Sequence, residues 1–393
     1  MHMPPLKISD NSQAGKQLNC NRMISSLLLF LAFLTWLASM CWIWGIIGIV
    51  GTVLGLIISA LITSLVVWTF FWLGRWLPAR MSSLHSAFVW GASVAAFCSI
   101  WSQEGLQVLI DMYAGEDVSR WFRPLIITPI TEEAFKAVFL LWMLFKNKFE
   151  IRGLLSGVVY AGLIGAGFAS TEQTLYFGKI MVTFIESSPN ETEALTTLVM
   201  SFLLRGALVP YMHPLFVIIT GLGVSVAAGI KSYIKRWIVV LLALLTATIL
   251  HGAWDWAGLA SDDHFLIIKI YAFGMLPLFL VLFTFALRLR QKQGKALVSG
   301  LARLAQEKYI KQEDILNFSN LIERRRSIDE AARDGGFKAR RLARELQIHI
   351  SVLALGINDD FPLTKDAKFS ESVFVIESLR EKLKVAIKAF KSS

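Results

Sequence analysis

Residues 23–73 read MISSLLLFLAFLTWLASMCWIWGIIGIVGTVLGLIISALITSLVVWTFFWL and contain no charged side chain. One bilayer crossing takes about 20 apolar residues, so an uninterrupted run of 51 is long enough to cross twice and should turn back on itself. The whole chain has the same character. It is 55% hydrophobic, 17% charged and has a mean hydropathy of +0.57, a balance that a soluble domain of 393 residues does not sustain. The fold class implied is all-α: a polytopic transmembrane helical bundle of about eight spans, with a C-terminal helical tail.

Apolar runs bounded by charge or turn residues predict spans at roughly 23–43, 47–73, 84–102, 124–145, 154–177, 201–229, 237–258 and 265–287. Their connections alternate in charge. Lys7, Lys16 and Arg22, then Arg75 and Arg80, then Lys146, Lys148 and Arg152, then Lys231, Lys235 and Arg236, then Arg288, Arg290 and Lys292 fall on one side. Glu104, Asp111, Glu116 and Asp117, with Arg120 and Arg123, then Glu186, Glu191 and Glu193, with Lys179, then Asp262 and Asp263 fall on the other. Basic loops stay in the cytoplasm, so both termini are expected there, in a multi-pass protein of the cell membrane. The polar first 22 residues and the missing small-residue cleavage site predict a retained N-terminus.

Three parts follow: a cytoplasmic tail over 1–22, an eight-helix membrane domain over 23–288 with its chemistry concentrated in 124–258, and a basic helical cytoplasmic tail over 289–393. From Arg288 onward lie 22 of the 39 Lys and Arg against 14 acids. Leu301, Leu304, Ile315, Leu316 and Ile322 recur there at helical spacing, and Gly335-Gly336 is expected to break the helix. Lys338-Ala-Arg-Arg-Leu-Ala-Arg344 reads either as a solvated basic face or as a surface for anionic lipid or a cytoplasmic protein. Cys20, Cys41 and Cys98 suggest neither a disulfide framework nor a thiolate metal site; Cys20, just before the first span, is a candidate for acylation.

Ionisable groups inside spans cost a few kcal/mol each, which marks four clusters as functional candidates. The fourth span carries Thr131-Glu132-Glu133-Ala-Phe-Lys136. Glu132 and Lys136 are one turn apart and can pair; the second carboxylate then adds cost without structural return, and one of the two suits a general base acting on water. The fifth has Gly162, Gly165 and Gly167, which permit close helix approach, and then Phe168-Ala-Ser-Thr-Glu172; Arg205 or Lys179 is a possible partner for Glu172. The sixth places His213 between Pro210 and Pro214, which should kink the helix. The seventh has His251-Gly-Ala-Trp-Asp255, a spacing of four that puts imidazole and carboxylate on one face, where the acid can fix the ring tautomer.

With a rise of about 1.5 Å per residue, Glu132 lies roughly 12 Å below the outer end of its helix, Glu172 about 8 Å, His251 about 10 Å and His213 about 18 Å. Four helices thus bring these acids and imidazoles to comparable depth, as one shared site requires. Such a group can activate water with a glutamate base or through a bound metal such as zinc, and the ligand spacing does not choose between them.

At these residues the chain resembles the PrsW family of intramembrane proteases and, more distantly, the CAAX prenyl endopeptidase superfamily. The paired glutamates and following base match Glu132-Glu133-Ala-Phe-Lys136; the second motif matches Phe168-Ala-Ser-Thr-Glu172, followed by Tyr176; the histidine motifs match His213-Pro214 and His251-Gly-Ala-Trp-Asp255. Gln173 stands where that pattern has asparagine. The resemblance covers about Pro124 to Gly258 and implies hydrolysis of a peptide bond in or beside the membrane. It also implies a membrane-anchored protein substrate, of which anti-sigma factors are one class and lipidated C-termini another. The reading that joins residues and resemblance is an endopeptidase cutting near the outer face. In it Glu132 or Glu133 activates water, His213 and His251 stabilise the oxyanion or hold a metal together with Glu172, and Glu172 and Asp255 orient the imidazoles. Lys136, Phe168 and Arg205 support them. A proton-coupled transporter using the same groups as a relay, or a noncatalytic scaffold signalling through its tail, are the alternatives.

Overall fold

A computed structural model describes residues 11–146, 151, 153–186, 191–259, 266–357 and 367–392. Lys7, Lys148, Arg152, Asp262 and Asp263, on which part of the orientation argument rests, lie outside these residues, as do the side chains of Lys16, Cys20, Arg22, Lys146, Glu191 and Glu193. The described chain is helical throughout, with no strand among the described residues. Among the described residues six segments are long and apolar enough to cross a membrane: Ser26–Trp76, Met81–Ala114, Leu154–Glu186, Met212–Gly229, Tyr233–Gly258 and Leu266–Gln306.

The first of these holds two passes. Helix α1 (Asn11–Leu73) is interrupted at Gly48, whose φ of 67° and ψ of 175° suit a residue without a Cβ. Trp36 then lines the same cavity as Leu56, Ala60 and Thr63. In a straight helix Trp36 and Ala60 would stand about 36 Å apart, so the chain folds back at Gly48. The six segments exclude α5 (Thr128–Lys146) because it carries Glu132, Glu133 and Lys136. With the two arms of α1 taken separately and α5 included, the bundle is consistent with eight passes.

Several predicted boundaries move. The third span, expected to end near 102, consists of α2 (Met81–Trp90), a π-helical turn at Gly91–Ala95 and α3 (Ala96–Ala114). Glu104 and Asp111 therefore lie on a helix, where Gln107 donates to Asp111 at 2.8 Å across one turn, and not in a loop. Gly115, at φ 86°, ends it before α4 (Glu116–Phe122) and a second π turn at Arg123–Ile127. The fifth span, α6, runs on to Glu186 (Leu154–Glu186). The sixth is broken into α7 (Glu191–Phe202), a π turn at Leu203–Leu208 and α8 (Met212–Gly229). Pro210, which lacks an N–H, stands in the break. Helix α9 is Tyr233–Leu259. The last span comprises α10 (Leu266–Ile270), a π turn at Tyr271–Met275 and α11 (Leu276–Gln306), which continues unbroken past the expected boundary at 288.

Helix α6 is the axis of the bundle, buried from Leu155 to Phe168. Its small residues set how closely its neighbours approach. A Cβ on Gly162 would strike the Phe70 ring of α1, one on Gly165 the backbone of His213 and Pro214, and one on Gly167 the carbonyl of Phe88 on α2. On the outside, Leu28, Phe33, Ile57, Leu61, Leu242 and Ile249 are among the exposed apolar side chains, the pattern of a lipid-facing surface.

After α11 come α12 (Gln312–Ser319), α13 (Leu321–Gly356) and α14 (Ala367–Lys391). Helix α13 loses helical geometry at Gly335 and Gly336 and folds back there, since Arg324 donates to Ser351 Oγ at 3.1 Å and Gln347 donates to the Arg324 carbonyl at 3.1 Å. A core of Leu297, Leu301, Leu304, Phe318, Ile350 and Leu353, among others, joins these helices. With α11 they rest on the turn that follows α1 (Gly74–Trp76): Gln293 donates to the Trp76 carbonyl at 3.3 Å, and the Arg324 guanidinium lies 5.8 Å from the Trp76 ring. Burial pushes the Arg324 guanidinium down to about 10, which leaves it a cation at neutral pH.

Gly165→Val tests the axis. The added methyl groups meet backbone at His213–Pro214, so thermal unfolding in detergent should show a loss of about 1–3 kcal/mol; an unchanged midpoint would contradict the packing described.

Candidate active site

Three of the four π turns among the described residues lie at the site: two immediately precede α3 and α5, and one lies just before the break that leads into α8. Each inserts a residue that changes the phase of the following helix, and in the two before α3 and α5 a threonine meets a carbonyl of the turn. Thr171 donates to the Ala92 carbonyl at 2.6 Å, and Thr131 to that of Ile127 at 2.8 Å. Trp90 Nε1 donates to the Phe135 carbonyl at 2.9 Å, which ties α2 to the turn of α5 that carries the acids.

Lys136 is the centre of the cluster. Its side chain is 0% exposed, and Nζ donates to Glu132 Oε2 at 3.0 Å and Glu133 Oε1 at 2.9 Å and lies 3.1 Å from His213 Nδ1. Three acceptors match the three N–H bonds of an ammonium. The Phe168 ring closes the remaining side with its centroid 3.9 Å from Nζ.

The imidazoles are held from outside. His213 Nε2 contacts Glu172 Oε2, so Nδ1 faces Lys136 and Glu132. His251 Nδ1 pairs with Glu133 Oε1 at 3.0 Å, which turns Nε2 toward Glu132 Oε2 at 3.8 Å and Asp255 Oδ2 at 3.4 Å. The two rings stand nearly perpendicular at 5.4 Å, and Phe216 stacks on His251 at 4.7 Å.

All six residues expected from sequence therefore meet. Glu132, Glu172 and Asp255 line a cavity of about 200 Å³ walled by Trp42, Ile43 and Leu175, whereas Glu133 does not reach it. Arg205 stacks its guanidinium 3.5 Å from the Tyr176 ring centre, and among the described residues neither it nor Lys179 forms an ion pair with Glu172. Gln103 and Thr128 were not expected. Gln103 Nε2 lies 3.4 Å from Glu132 Oε1, and Thr128 Oγ1 donates to Gln103 Oε1 at 3.3 Å, so the hydroxyl turns the amide nitrogen toward the acid. The signal for Gln103, a polar side chain in an apolar stretch, fell just beyond the end assigned to its helix.

One ligand atom each from Glu132, His213 and His251 lies within 4.8 Å of the other two. The family model for PrsW family intramembrane metalloproteases matches residues 79–282. The chain belongs to this family. It is a membrane-embedded peptidase, acting in a lipid environment on protein substrate. No curated protein and no solved structure matches it.

The donor set of this PrsW-family site fits a divalent ion. One carboxylate and two imidazoles are a catalytic zinc ligand set that leaves a position open, and each imidazole has its other nitrogen on a carboxylate, as metal-bound histidines generally do. Glu132, Glu133, Glu172 and Asp255 outnumber Lys136 and Arg205 by two charges with neutral imidazoles, a deficit that a dication cancels. Glu133 Oε2 is buried without a hydrogen-bond partner among the described residues. Lys136 competes with an ion for this position, because Nζ already donates to Glu132 Oε2 and lies 3.1 Å from His213 Nδ1.

Lys136→Met should cost about 3–5 kcal/mol, the price of stranding buried partner charges, measured as the unfolding midpoint of purified protein. A variant as stable as wild type would show that the ammonium does not hold the cluster.

Proposed function

We propose that this protein is a zinc-dependent intramembrane endopeptidase that cuts a membrane-anchored protein near the outer face of the cell membrane, with both of its own termini in the cytoplasm. The observation that carries the proposal is the convergence of Glu132, His213 and His251, with Glu132 Oε2 3.8 Å from both His213 Nδ1 and His251 Nε2, beside a cavity walled by Trp42, Ile43 and Leu175. The division into residues 1–22, 23–288 and 289–393 belongs to the same reading.

Glu132, His213 and His251 would hold the ion, which when bound supplies an acidified water and polarises the scissile carbonyl. Glu172 and Glu133 orient the imidazoles. Lys136 compensates the glutamates, and Gln103 fixes the free oxygen of Glu132. Asp255 is the carboxylate left beside the His251 nitrogen that faces the site, and it lines the cavity. Its place would let it take a proton from an attacking water and give one to the amide nitrogen as the C–N bond breaks. Of the two adjacent glutamates, Glu132 meets the cavity and Glu133 braces it. The apolar wall suits an extended stretch of a membrane span freed from its helix. An anti-sigma factor anchored by one span is a substrate of the required kind.

New protein N-termini in membranes from cells expressing wild type, Glu132→Gln or Asp255→Asn at matched abundance test this. Cuts near the outer ends of spans should appear with wild type and vanish with Glu132→Gln. With Asp255→Asn they should fall by about 10²–10⁴-fold while bound metal stays at the wild-type level. Three indistinguishable profiles would overturn the assignment of these residues.

A further inference from the structure

The hairpin of α13 distributes its arginines unequally. On the outgoing arm each exposed arginine has an acid: Arg325 with Asp329 at 3.6 Å, Arg326 with Glu330 at 2.9 Å and Glu323 at 3.9 Å, Arg333 with Glu330 at 3.9 Å. On the return arm Arg340, Arg341 and Arg344 are exposed, and none forms an ion pair with a described acid. They share a helix face with Phe337, within about 100° of arc at 3.6 residues per turn. Phe337 is 83% exposed. Three uncompensated guanidinium groups beside an exposed aromatic ring form a surface that lacks its counter-ions.

The position of this face indicates what supplies them. Glu345, next to Arg344 and one turn from Arg341, pairs with Arg80 at 3.6 Å, and Arg80 is the N-cap of α2, one residue before the membrane-spanning segment starts at Met81. The arm is thus held at the level where a span leaves the bilayer. We propose that Phe337, Arg340, Arg341 and Arg344 form a docking face for the phosphate headgroups of anionic phospholipid, with Phe337 entering the boundary between headgroups and acyl chains. A free cytoplasmic protein would find this face only beside the membrane surface; lipid headgroups are already there. Each arginine near such a surface contributes about a fivefold preference for anionic over neutral lipid. The face would make the lie of the C-terminal helices depend on the charge of the leaflet they touch.

Arginine footprinting of the full-length protein tests this without a variant, so misfolding cannot imitate the result. The protein is reconstituted in nanodiscs of phosphatidylcholine alone or mixed with phosphatidylglycerol, treated with phenylglyoxal, and its modified peptides are quantified. Labelling at Arg340, Arg341 and Arg344 should fall by about fivefold or more in the anionic discs, return at high salt, and stay unchanged at Arg325 and Arg326. Equal labelling in both discs, or an equal fall at all five arginines, overturns the proposal. Protection in neutral discs by inorganic phosphate alone assigns the face to a soluble anion, and protection only on adding cytosolic protein assigns it to a protein partner; either result also overturns it.

Discussion

An ammonium buried in a bilayer must have every proton engaged, and Lys136, with no exposed surface, meets that demand through Glu132, Glu133 and His213. Each acceptor carries an obligation further. Glu133 shares its oxygen with His251 on α9, and His213 on α8 is backed by Glu172 on α6. Four helices are thereby tied through one cation, and removing one member leaves the next with an unmatched charge. The glycines of α6 make the reach short enough: Gly165 brings α6 against the backbone at His213, and Gly167 brings it against α2.

Much of this was legible because helical rise is constant. Residue counts from the ends of the spans put Glu132, Glu172, His213 and His251 at comparable depth, and they converge. The turn demanded by the charge-free run at 23–73 occurs at Gly48, and the break expected at Gly335-Gly336 occurs there. What counting along a helix does not supply is rotation about its axis. It placed Glu132 and Glu133 on an equal footing, whereas the fold turns Glu132 to the cavity and Glu133 to Lys136 and His251. The π turns explain why: an extra residue changes the phase of the following helix without leaving a mark in hydropathy. The same limit hid that Arg205 stacks on Tyr176 and does not bridge to Glu172; Gln103 was hidden by a helix end set one residue short of it.

The C-terminal helices follow a different logic. There the paired and unpaired arginines of α13 other than Arg324 are solvated, and position is set by packing on the turn that follows α1, where Trp76 meets Gly294 and Arg324. Helix α11 is continuous from the bundle into this assembly, so the two share a rigid strut at the membrane boundary. The site is reached from the opposite half of the bundle in the topology proposed. The separation is physical: Lys136 and its partners need exclusion of water, and the arginines of α13 need access to it.

The central claim is that one carboxylate and two imidazoles from three helices converge as ligands, and cobalt(II) reads this most directly. Metal-free protein titrated with cobalt should take up one ion and develop the intense visible absorption of a tetrahedral site, with His213→Ala and Glu132→Gln each abolishing it. Failure to bind cobalt, or a spectrum unchanged by both substitutions, would contradict the account.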